Sequence, residues 1–243
     1  MFAILQKEIS GFFSSLTGYI VITVFLCING LFIWVFPGNM NILDSGFASL
    51  APLFTIAPWV FLFLVPAVTM RSFAEEKKAG TLDLLFTRPL SSLQIILGKY
   101  LASVVLIILA LIPVFIYYYS VISLGATIGN IDHGAFRGSL LGLLLLASCY
   151  AAVGVLASAL TDNTIVSFLL AVFISFFLFS GFSYMGNLFQ FGGTGNALQN
   201  LGIEAHYTSI SRGVIDSRDI IYFLSVITIF ISLTKLKLSS RNW

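Results

Sequence analysis

Residues 93–119 read LQIILGKYLASVVLIILALIPVFIYYY, and a run this long and this apolar decides the fold class. A helix rises about 1.5 Å per residue, so about 20 apolar residues cross the roughly 30 Å hydrocarbon core of a bilayer. Five further runs of the same kind lie at Thr17–Phe36, Leu53–Met70, Ser139–Leu160, Ile165–Met185 and Ile220–Leu233. None alternates polar and apolar residues as the short strands of a membrane barrel do. The sequence therefore predicts an all-α polytopic membrane protein with six transmembrane helices, residues 1–243 forming a single transmembrane domain.

Composition closes off the alternatives. The chain is 58% hydrophobic and 9% charged, with a mean hydropathy of +1.02, whereas soluble domains carry about 25% charged residues. Lipid must be the solvent for most of its surface. A net charge of +2, with no basic run, excludes a nucleic-acid partner. Cys27 and Cys149 sit in apolar stretches and read as small buried hydrophobes, not as a disulfide framework or a metal pair. The N-terminus lacks the basic cluster and small-residue cleavage site of a removed signal peptide.

Ahead of the first run, Phe2, Leu5, Ile9, Phe12, Phe13 and Leu16 recur at three- and four-residue steps, with Gln6, Lys7, Glu8 and Ser10 largely off that stripe. Residues 1–16 are thus expected to form a helix lying in the membrane interface. With both termini in the cytoplasm, Lys7, Arg71, Lys77, Lys78, Arg88, Lys99, Lys235, Lys237 and Arg241 fall inside, and only Arg137, Arg212 and Arg218 outside. The positive-inside rule favours that orientation, N-in and C-in across a bacterial inner membrane. Pro58, Pro66 and Pro113 predict kinks within spans. Small residues at helical spacing in the fourth run (Ala147 with Ala151, Ser148 with Ala152, Gly154 with Ser158) predict close helix packing inside the chain.

Two loops carry information. In the first, residues 71–92, the second helix is expected to run past the membrane through Glu75–Ala79. Gly80 ends it in a left-handed conformation. Thr81 caps a short helix Leu82–Phe86, which Pro89 stops by restricting Arg88. Ser91 with Gln94 then has capping-box spacing for the third span. The product is a short apolar helix between charged flanks, and such a feature on an aqueous loop generally meets something; lying on the bilayer or on its own bundle is the alternative. In the second loop, residues 186–219, Gly192-Gly193-Thr194-Gly195 breaks the chain and Asn196 is placed to cap a helix running toward Gly213.

The run Glu75-Glu76-Lys77…Gly80-Thr81-Leu82-Asp83-Leu84-Leu85…Arg88-Pro89-Leu90-Ser91…Gly98-Lys99 resembles the first cytoplasmic loop of ABC-2-type permeases. The likeness extends to the interfacial helix, the six spans and the segment before the last span. His206 to Tyr222 is most similar to the gliding-motility-associated permease subunit, F type. The resemblance implies a coupling helix that docks in a groove of a separate ATP-binding subunit. The implied interface is Glu75, Glu76, Gly80, Thr81, Leu82, Asp83, Leu84, Leu85, Phe86 and Arg88, with Asp162 as a second contact or as a cap of the fifth span. It implies an external gate in residues 186–219, with His206, Arg212 and Asp216, and a companion permease carrying an external domain. A heterodimer is expected, a homodimer being the alternative.

Several chemistries are missing from the sequence. There is no G-x-x-x-x-G-K-[ST] loop, and Gly98-Lys99 is followed by Tyr100, so ATP hydrolysis falls to another chain. The spans carry essentially no ionisable residues, Arg71 lying at a membrane edge, which speaks against an ion-coupled carrier or an intramembrane metalloprotease. His206 beside Glu204 offers two ligands, too few for a metal. No nucleophile–base pair stands out, so no enzyme activity and no cofactor are expected. The sequence reads as the permease subunit of an ATP-driven transporter doing export or assembly work. The other reading is a non-transporting platform of a motility or secretion machine.

Overall fold

The computed structural model describes residues 1–82, 85, 90–125, 131–188 and 194–240. The described residues contain helices and connecting turns only. In chain order these are α1 (Phe2–Phe13), α2 (Leu16–Gly30), α3 (Ile42–Ser45), α4 (Ala51–Thr69), α5 (Ala74–Lys78), α6 (Ser92–Leu111), α7 (Val114–Leu124), α8 (His133–Leu160), α9 (Thr164–Phe176), α10 (Phe182–Leu188), α11 (Thr194–Gln199), α12 (Ile203–Ile210) and α13 (Ser217–Ser239). Wide turns at Leu31–Val35 and Phe177–Gly181 prolong α2 and join α9 to α10.

Six stretches are long and apolar enough to cross a membrane: Gly18–Val35, Ala51–Lys78, Ser92–Leu124, His133–Leu160, Thr164–Leu188 and Ser217–Ser239. These are the spans expected from the sequence, with shifted ends. The protein is a multi-pass, all-α membrane protein. An even number of spans puts both termini at one end of the bundle, here called the terminal face, together with the 70–91 and 161–163 connections. The 36–50, 125–132 and 189–216 connections lie at the far face.

The fourth span is the axis of the bundle. Within its most apolar stretch 78% is buried, against 28% for the first, fifth and sixth spans. Lipid tails are as apolar as leucine, so close packing, and not escape from water, must hold such helices together. The small residues supply it. A Cβ on Gly154 would stand 1.9 Å from Thr69 Oγ1 of the second span, and one on Gly142 would stand 2.7 Å from Ile210 of α12. The ridge therefore packs inside the chain, as expected. Aromatic pairs tie the remaining spans on: Phe25 stacks on Phe61 at 4.6 Å, and Trp59 meets Phe179 edge-on at 5.4 Å.

Three local expectations needed correction. The second span does extend to Lys78 as expected, but with a turn at Met70–Phe73 between α4 and α5. The far-face segment is not one helix capped at Asn196. Gly202 divides it into α11 and α12, and Gly202 itself precedes the first residue of α12. Cys27 faces outward from the bundle, and only Cys149 is buried. Pro113 behaves as its chemistry requires, interrupting the third span between α6 and α7.

Candidate functional site: the terminal-face junction

The 71–92 connection starts from a serine. Ser158, fully buried near the end of α8, donates its hydroxyl to the Met70 carbonyl at 3.0 Å. The same oxygen accepts from the backbone N–H groups of Phe73 at 2.8 Å and Ala74 at 3.0 Å. Those two N–H groups open α5 and would otherwise lack partners. One hydroxyl thus fixes the turn between α4 and α5 onto the central span. Lys77 adds a bond from its ammonium to the Ala159 carbonyl.

The far end of α5 is closed by a Schellman motif. Gly80 adopts φ +67°, its N–H donates to the Lys77 carbonyl at 3.1 Å, and the Thr81 N–H donates to the Glu76 carbonyl at 3.0 Å. The left-handed glycine expected at position 80 is present. Beyond it Leu82 and Leu85 are helical, and the Leu85 N–H reaches the Thr81 carbonyl at 3.3 Å. Leu82 is 1% exposed and packs into the protein's own core, with Leu85 half-buried against it. Asp83, Leu84, Phe86 and Arg88 lie outside the described residues. Ser91 and Gln94 form the reciprocal capping box that starts α6.

At the centre of the junction stands Lys99, two turns into the third span, with a side chain 1% exposed. Its ammonium lies 2.7 Å from Glu8 of α1 and 3.0 Å from Glu76 of α5. It also donates to the Ser72 carbonyl at 2.7 Å and sits 5.2 Å from the centroid of the Phe73 ring. Glu76, its side chain 14% exposed, takes a second cation, Lys7, at 3.2 Å. A lysine ammonium has three donors and no acceptor, and here they are spread over α1, the 70–73 turn and α5. The cluster borders a cleft of about 450 Å³ that Arg71 and Glu75, both exposed, also line.

Lys99 does not behave as a cytoplasmic loop cation, and the third span does carry a buried charge. One face of α1 packs on the third span. Phe2 is exposed, while Ile4 and Glu8, four residues apart, turn toward the third span. Ile4 fits because position 98 is glycine: a Cβ there would come within 3.2 Å of it. The spacing Gly98-Lys99 against Ile4 and Glu8 was the available signal, and it is visible only once α1 is known to lie on α6.

Asp162 is exposed in the 161–163 turn. It does not cap the fifth span; Asn163 does, accepting from Ile165 N–H at 2.9 Å. Asp162 shares a recess of about 390 Å³ with Lys77 and Lys237, next to α5.

At the far face, His206 of α12 bonds Asp219 at 2.7 Å through Nδ1 and the Asn200 carbonyl at 2.9 Å through Nε2. It also stacks on Tyr222 at 3.9 Å. Both ring nitrogens therefore lie within hydrogen-bond distance of oxygen. His206 is half-buried, and Asp219, absent from the expected gate set, is buried. Arg212 is exposed in the turn after α12, away from this pair. Asp216 caps α13, accepting from Arg218 N–H at 2.9 Å. Tyr207 donates to the Phe54 carbonyl at 2.6 Å, and burial pushes its phenol up, which keeps it a donor.

A model of the ABC-2 family transporter proteins matches residues 38–202, more than half of the chain. The match takes in the second to fifth spans and the whole 71–92 connection, and leaves out α1 and the sixth span. No curated protein matches the sequence.

Proposed function

The chain belongs to the ABC-2 transporter family, and from that premise we propose that residues 71–92 are the part of this permease that receives force from an ATP-binding subunit. Members of the family are membrane transport components, not catalysts in themselves, and generally work with such a subunit. The observation that carries the reading is the Lys99 cluster. A loop on the surface can move without consequence, but this one is bonded to Ser158 of the central span, to Lys99 inside the third span and, through Lys99, to Glu8 of α1. A push on α5 or on the turn beyond Gly80 is delivered to three elements together.

In this reading the terminal face is cytoplasmic and the membrane is a bacterial inner membrane. The ATP-binding subunit meets the exposed side chains Glu75 and Thr81 and the turn beyond Gly80, with Asp83, Leu84, Phe86 and Arg88 as further proposed contacts. Leu82 and Glu76 anchor that turn from beneath. Asp162, beside Lys77, is the second contact. Residues 186–219 form the outer gate, and a companion permease completes the pore. The finer likeness to a gliding-motility permease rests on residues 206–222, outside the matched region, and is what supports reading the work as motility or assembly.

The test is recovery of the ATP-binding subunit with the permease from native membranes. Changing Leu84 and Leu85 to Glu is expected to abolish co-purification while the permease still inserts. Labelling of a Thr81→Cys variant in sealed inside-out vesicles, but not in right-side-out ones, is expected as well. Undiminished recovery, or labelling from the periplasmic side, would overturn the proposal.

A further inference from the structure

A second groove opens at the other end of the molecule, between the third and fourth spans. Beside the interruption at Pro113, where α6 gives way to α7, lies a concavity of about 320 Å³. Its walls are apolar, with Ile108, Ile112 and Phe115 on one side and Leu140, Leu141 and Leu144 on the other. Among the described residues, the single charged side chain in its lining is Arg137. Above it the roof is built and closed: Tyr118 hydrogen-bonds His133 and stacks on Phe136 at 4.2 Å, while Phe115 meets Phe136 at 5.8 Å.

The depth of Arg137 can be placed by counting. The helix His133–Leu160 has its midpoint between Leu146 and Ala147. At about 1.5 Å per residue Arg137 stands about 14 Å from it, at the edge of a hydrocarbon core whose half-thickness is about 15 Å. It is exposed, and has no ion-pair partner among the described residues. An unpaired charge at that depth draws its counter-ion from outside the chain, and a guanidinium matches a phosphate with two parallel bonds. The nearest acid, Asp132, caps α8 by accepting from Ala135 N–H at 2.9 Å. It is not part of the groove, so nothing in the lining would receive the ammonium of a zwitterionic headgroup.

We infer that this groove binds one phospholipid of net negative headgroup from the far-face leaflet, an acyl chain lying along Ile108–Leu144 and the phosphate on Arg137. The site is independent of the coupling loop.

Native mass spectrometry of the purified full chain tests it, in detergent supplied with equal phosphatidylglycerol and phosphatidylethanolamine of the same acyl chains. The wild type is expected to retain phosphatidylglycerol about tenfold over phosphatidylethanolamine. Arg137→Gln should bring that ratio near one, and Arg137→Lys should keep most of it. Leu141→Trp, which fills the groove, should reduce retention of both lipids. An unchanged ratio in Arg137→Gln would overturn the inference, and so would its loss in Arg137→Lys to the level of Gln. Disulfide cross-linking between two Leu141→Cys copies would assign the groove to a protein neighbour and overturn it equally. Should Arg137→Gln fail to fold, the Lys and Trp variants still decide.

Discussion

The two faces of the bundle each hold a short element in place with an ionisable side chain, and they do it differently. At the terminal face the cation is Lys99, which rises from inside a span and reaches α1, the 70–73 turn and α5 at once. At the far face His206 sits on the short element itself and grips one span through Asp219 and Tyr222. The first arrangement is a bracket: no one of its parts moves without the others. The second is a clasp in which His206 itself reaches only the start of α13, while other residues of α12 pack on the second and fourth spans. Under the coupling proposal, the terminal-face cation ties more elements together than the far-face histidine does.

The comparison can be broken hardest at Lys99. Lys99→Met leaves Glu8 without its cation and Glu76 with the exposed Lys7 alone, and removing one partner of a buried charge set costs about 3–5 kcal/mol. The unfolding midpoint in detergent is expected to fall accordingly. A triple variant adding Glu8→Gln and Glu76→Gln should recover most of the loss. If Lys99→Met alone is as stable as the wild type, the bracket is not one.

Next come the contacts that seat the loop on the axis. Ser158→Ala strands the Phe73 and Ala74 N–H groups, at about 2 kcal/mol, and hydrogen exchange at those two amides should quicken while the core of α8 stays protected. Gly154→Ala drives a methyl into Thr69 and is expected to cost about 2 kcal/mol through overpacking, partly relieved by Thr69→Ala.

The clasp should respond less. His206→Leu forfeits its two polar bonds and the stack and leaves the buried Asp219 carboxyl without that partner, at about 1–3 kcal/mol. Exchange should rise in the first turn of α13 and in α12, with no change at the terminal face. A fall as large as that of Lys99→Met would erase the distinction between bracket and clasp.

The smallest pair separates stability from coupling. Asn163→Ala removes the cap of the fifth span, at about 1 kcal/mol, whereas Asp162→Ala should leave the unfolding midpoint unchanged. Under the coupling proposal Asp162→Ala nevertheless lowers recovery of the ATP-binding subunit and Asn163→Ala does not.

What could be read in the chain and what could not divides along a physical line. Local rules were legible. Gly80 was readable as a left-handed helix stop because only glycine takes φ +67° without cost, and Ser91 with Gln94 because a capping box spans four residues. The same reasoning missed Asp219 beside His206 and put the cap of the fifth span among the roles open to Asp162. Neighbours in sequence were weighed there, and the true partners were thirteen residues away or one residue on. The apolar stripe of α1 was judged by periodicity alone, which counts greasy positions but cannot say which face meets α6. So Ile4 and Glu8 were passed over.

Sequence alone determined that this is a six-span membrane protein, because runs of about 20 apolar residues with few or no charges have nowhere stable to go except across lipid. It also determined where the chain must turn, since glycine, proline and capping residues act within a few bonds. Only the tertiary structure decided that Lys99 is a buried hub, that Ser158 carries the 71–92 connection, and that Leu82 belongs to the core. A charge costs too much in hydrocarbon to stand alone, so its meaning depends on what is folded against it. Glu8 and Glu76 are brought to Lys99 from distant parts of the chain.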